Sequence, residues 1–127
     1  MLYGHKKQLK ISFIEAVLRI ESGLVKEGFV ILCRTDIKEI LKNKLNIEYN
    51  NFLIFITNNP SFTYWSLQEN KQVGLLLPFN IIVYEEDNKI FTSGLLAKTI
   101  IGLENNSHLI DIAKKVEKKI IKIIDSL

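Results

Sequence analysis

The 127-residue chain is 47% hydrophobic and 24% charged, with a formal net charge of +3, a balance that fits one globular domain with its own core. So small a charge, without a clustered Lys or Arg face, argues against a nucleic-acid partner, and the apolar run "GLLLPFNIIV" is too short and interrupted to span a membrane. The single cysteine, Cys33, excludes an internal disulfide and a cysteine-based metal cluster within one chain. The N-terminal "MLYGHKKQLK" lacks the apolar segment of a signal peptide, so a soluble cytoplasmic protein of one domain, residues 1–127, is expected.

The first element is a strand around Leu2 to Leu9. Ser12 and Glu15 then form an S-x-x-E capping box ahead of a helix whose apolar stripe is Phe13, Val17, Ile20 and Leu24. Gly28 sits where that helix stops. Phe29 to Arg34 reads as a strand containing a buried, inert Cys33. Asp36 and Glu39 repeat the capping pattern for a short helix ending near Lys44. The continuous run "NFLIFIT" predicts a strand covered on both faces or central in the sheet.

Asn59 as N-cap and Pro60 at the first helical position open the next helix. Phe79 to Glu85 pairs with Lys89 to Ser93 across a turn at Glu86, Asp87 and Asn88. After a looser segment, Ser107 caps a long final helix with the core stripe Leu109, Ile112, Val116, Ile120, Ile123 and Leu127. Ile110, Ile121 and Ile124 widen its apolar face enough to serve a second subunit. The order β-α-β-α-β-α-β-β-α predicts an α+β fold: a mostly antiparallel five-stranded sheet packed on one face by an N-terminal and a long C-terminal helix.

"KEGFVILCRTDIKEILKNKL", then "NNP" after a strand, then "VGLLLPFNIIVYEE", resemble the family called domain of unknown function 302, over about residues 11–127. The resemblance implies a small α+β domain of unsettled biochemical role. Asn59, Pro60, Leu77, Pro78, Asn80, Tyr84 and Glu85 match its pattern. Many members carry cysteine where this chain has Asn58 and Phe79, so metal or redox chemistry resting on those cysteines is not available here.

The Asn-Asn-Pro corner is the foremost candidate site. A helix N-terminus presents unpaired N–H groups that suit a phosphate or carboxylate, Asn58 and Asn59 add amides, and Tyr64 or Trp65 offers a ring for stacking. The simpler account is that Asn59 caps the helix while Phe62 and Trp65 join the core. Asn80, an amide inside an apolar strand, either ties down neighbouring backbone or faces a pocket between the Asn59 corner and the Leu77 to Asn80 segment. His5 and His108 lack partners at metal-ligand spacing, and no phosphate loop, nucleophile elbow or C-x-x-C motif occurs. No catalytic residue, metal ligand or cofactor is therefore assigned, and an enzyme is the least favoured class. The expectation is a homodimeric module that binds a small anionic or aromatic ligand through Asn58, Asn59, Tyr64, Trp65 and Asn80. A pocketless interaction or dimerisation module is the alternative.

Overall fold

The structure, a computed structural model, describes residues 3–77, 79–97, 99 and 106–127. Leu2 and Pro78, and most of the segment before the last helix, lie outside the described residues. The chain builds β1 (Gly4–Leu9), α1 (Phe13–Lys26), β2 (Val30–Asp36), α2 (Ile37–Leu45), β3 (Phe52–Asn58) and α3 (Pro60–Glu69). A 3-10 helix (Lys71–Leu76), the hairpin β4 (Phe79–Glu86) and β5 (Lys89–Leu95), and α4 (Ser107–Asp125) complete it.

Local chemistry sets the element ends. Ser12 Oγ accepts from Glu15 N at 3.1 Å, and Asp36 Oδ1 accepts from Glu39 N at 3.0 Å, so both capping signals operate. Gly28 adopts a φ of 84° just past α1, a conformation that costs glycine little. The hairpin turn is two residues rather than three: Asp87 and Asn88 have φ of 53° and 61°, the left-handed pair that matches strand twist. Asn106, not Ser107, caps α4, accepting from Leu109 N at 3.2 Å.

All neighbouring strands are antiparallel, in the order β1-β5-β4-β3-β2. α1 carries the chain from one sheet edge to the other, and the later strands walk back until β5 meets β1. Ala16, Ile20 and Leu24 of α1, and Leu109, Ile120 and Ile123 of α4, bury against Phe55, Ile81 and Val83 of the sheet. α4 approaches β5 closely because Gly94 has no side chain: a Cβ there would stand 2.5 Å from Ile120 Cγ2. The C-terminal turn is held by β1, with Lys7 Nζ donating to Asp125 O (3.0 Å) and Leu127 O (2.9 Å). Ile124, expected on a free face, is fully buried beside Gly94, which narrows the surface α4 has to offer.

Two further expectations change. β3 is interior but one-sided: Phe55 and Thr57 are buried, whereas Phe52, Ile54 and Ile56 alternate onto a face that remains partly exposed. Cys33 is exposed rather than buried, because β2 is the edge strand and its irregularity between Ile31 and Cys33 pairs Cys33 with Ile56 on that same face.

Candidate functional site

The Asn-Asn-Pro corner is built as a strand-to-helix joint. Asn59 is buried, its Oδ1 accepting from Phe62 N at 3.1 Å and its carbonyl from Thr63 N at 2.9 Å. Asn58 Oδ1 accepts from Thr63 Oγ1 at 2.8 Å. Both amide oxygens are thus committed to holding α3 at the end of β3. Pro60 has no N–H to satisfy, which leaves the Ser61 N–H without a partner among the described residues.

Beside this corner, α3 and α4 enclose a groove of about 600 Å³. Phe62, Trp65, Ile112 and Val116 supply its apolar wall. Glu69 at the end of α3 bonds Asn106 and His108 at the start of α4, so the helices run in opposite directions. That reversal gives the groove two unlike ends. Asn59 and Ser61 face Lys115 and Lys119 at one, while Glu69, His108 and Asp111 form the other. The eight-residue step from Ser61 to Glu69 separates the ends by roughly 12 Å.

The two ends differ in charge as well as position. A hydrogen bond from Asn106 Nδ2 (3.2 Å) holds the Glu69 carboxyl below the usual carboxylate range, with His108 Nδ1 (3.1 Å) assisting and burial opposing. Lys119 Nζ donates to the Glu27 carbonyl at 3.2 Å, so it is partly engaged in joining α4 to the end of α1. Lys115 makes no ion pair among the described residues and is the groove's available cation. The α3 macrodipole adds positive potential at the same end.

The family model for the domain of unknown function DUF302 matches residues 5–127. The chain belongs to the DUF302 family. Among solved structures, it is similar to an uncharacterised conserved DUF302 protein from Bacillus stearothermophilus, at 26% identity over 98% of each chain with a TM-score of 0.91. No curated protein matches it.

Within this DUF302 domain the expected ligand residues separate into two places. Asn59 and Trp65 line the groove, and Trp65 is 57% exposed rather than part of the core. Tyr64 stands against the Trp65 ring edge-on, centroids 5.1 Å apart, but does not line the groove. Asn58 stiffens the corner from behind. Asn80 is elsewhere: it pairs with Ile56, is exposed, and borders a shallow hollow with Gly4, Lys6 and Tyr84. The groove therefore opens towards α4 instead of towards the Leu77 to Asn80 segment. Phe79 packs edge-on against Phe62 at 4.9 Å and keeps the inner side of the corner apolar.

Sequence reasoning missed Ser61, Glu69, His108, Asp111, Lys115 and Lys119 as groove residues. Asp111, Lys115 and Lys119 do recur at four-residue steps on one face of α4. That spacing was the available signal, but nothing local showed that α3 would lie alongside.

Proposed function

We propose that this DUF302 domain is a dimeric binding module whose α3–α4 groove takes a small ligand with an aromatic body and an anionic group. The observation that carries this reading is that one groove is lined by both the exposed Trp65 ring and Lys115, which makes no ion pair among the described residues. The ring offers a stacking face. Lys115, the Ser61 N–H and the positive end of α3 lie where an attached phosphate or carboxylate would stand. The opposite end, with Glu69, His108 and Asp111, suits a hydrogen-bond donor on the same ligand.

Native mass spectra of the purified protein, beside a denatured control, show whether a compound is retained and give its mass. Trp65 is the sole tryptophan, so its fluorescence reports the groove directly. Phenyl phosphate should quench it saturably. Lys115→Glu should weaken that binding by roughly tenfold, as expected when an attractive charge contact becomes repulsive at a partly exposed site. Unchanged affinity in the Lys115 variant would sink the reading. The dimeric part rests on a different surface, the uncovered sheet face.

A further inference from the structure

We propose that the open face of the sheet is a self-complementary interface, covered in solution by the same face of a second copy. Its centre is apolar: Phe52, Ile54 and Ile56 from β3, Ile82 and Tyr84 from β4, and Phe91 from β5. Three of these form a row across adjacent strands, with Phe52–Tyr84 centroids 5.3 Å apart and Tyr84–Phe91 centroids 5.5 Å apart, both pairs stacked. α1 and α4 occupy the other side of the sheet, against Phe55, Ile81 and Val83.

Area and charge select the occupant. Five strands about 4.8 Å apart, each with three outward positions about 6.8 Å apart, give a face of roughly 500 Å². Two such faces together reach roughly 1,000 Å² before the rim is counted, the threshold for a specific interface. The apolar centre of that face is contiguous across β3, β4 and β5, and contiguous rather than scattered apolar surface is what marks an interaction site. Between the rows of Asn80 and Tyr84, the one charged outward side chain among the described residues is Lys6, and its Nζ lies 4.7 Å from the Phe91 ring centroid. Glu48 and Glu86 border the hollow beside Phe52 and Tyr84. A polyanion stacking on these rings would meet one cation inside a rim where Glu86 lies opposite Lys89 and Glu48 pairs with Lys42, a near-neutral surface that disfavours it. A second copy meets an equally neutral surface. A two-fold axis along the strands through the central β4 lays the β1 edge of one copy over the β2 edge of its partner, so that Cys33 lies within the covered area. Aligned sheet-on-sheet packing supplies the geometry.

Cys33 gives a probe in the unmodified protein, since it is the sole cysteine and lies on this face opposite Ile56. In sedimentation equilibrium the parent protein should be dimeric at micromolar concentration. Ile82→Glu and Ile54→Glu should raise the dissociation constant by on the order of 100-fold while circular dichroism stays unchanged, because each buries an unpartnered carboxylate. Maleimide labelling of Cys33 should slow by roughly tenfold as the parent passes from monomer to dimer. The rival surface is the outer stripe of α1, where Ile14, Leu18 and Val25 are 72%, 57% and 66% exposed. A dimer that dissolves with Leu18→Glu and persists with both isoleucine variants overturns the proposal. So does a parent protein that stays monomeric throughout, or a dimer in which Cys33 labels as fast as in the monomer. The groove lies on the helical layer, so phenyl phosphate binding is read separately from either result.

Discussion

At the scale of single residues, Asn59 shows how much of a ligand-like motif can be structural. Its side chain is spent on the α3 cap, and its neighbour Asn58 on Thr63, before any ligand arrives. Asn59→Ala should lower stability by about 1 kcal/mol in urea unfolding, the usual cost of a lost cap, whereas Asn59→Asp should largely preserve it. Equal losses in both variants would mean that the amide, rather than the capping oxygen, holds the corner. Trp65 makes the opposite point. It follows Phe62 by one turn and looks like a core residue in sequence, yet only Phe62 is buried.

At the scale of elements, the groove exists because two helices that cap independently are brought side by side. α4 is positioned by its apolar stripe against the sheet, and Gly94 sets how deeply it settles there. Gly94→Ala should destabilise the fold by about 1–3 kcal/mol, as overpacking does, with the change visible in thermal melting. A melting temperature equal to the parent's would show that α4 can shift at no cost, and that the groove width is not defined by β5. Gly23 of α1 plays a related part, since a Cβ there would come within 3.0 Å of Ile123 Cγ2.

At the scale of the whole molecule, two carboxylates tie the helical layer together across long sequence distances. Glu27 at the end of α1 pairs with Lys122 of α4 at 2.8 Å, and Glu69 at the end of α3 bonds the start of α4. Each is held below its ordinary value of 4.5, Glu27 chiefly by the Lys122 hydrogen bond and Glu69 chiefly by that of Asn106. A lowered folded-state pKa stabilises the fold above the unfolded value and is lost as pH falls through the folded one. Melting temperature should therefore drop on acidification below about pH 4.5. Glu27→Gln and Glu69→Gln should melt below the parent at pH 7 and converge with it in acid. Parallel curves for parent and variants would remove these groups from the acid response.

Much of the fold was legible in the residues because its signals are local. The capping boxes at Ser12 and Asp36, the Asn59–Pro60 helix start and the hairpin each act within a few residues, and each stands where its residues predict, the hairpin with a turn one residue shorter. The α4 stripe is legible as well apart from Ile124, since a helix declares its buried face by periodicity. Alternation along β3 and β4 was harder, because apolar residues occupy both faces: "NFLIFIT" does not say which side the helices will cover. The same ambiguity hid the exposure of Cys33, which depends on β2 lying at the edge and on its irregular pairing with β3.

The α-helices and strands, their order, the α+β class and the family follow from the residues alone, through short-range capping, periodicity and recurrent motifs, whereas the 3-10 helix Lys71–Leu76 does not. Tertiary packing was needed to bring Trp65 and Lys115 into the lining of one groove, to set Asn80 away from it, and to line up Phe52, Tyr84 and Phe91 on an open face. These juxtapositions join residues up to about fifty positions apart through the packing of α4 and the register of β3, β4 and β5. Neither is written in any local pattern, because strand order and helix direction emerge from burying all the apolar faces at once.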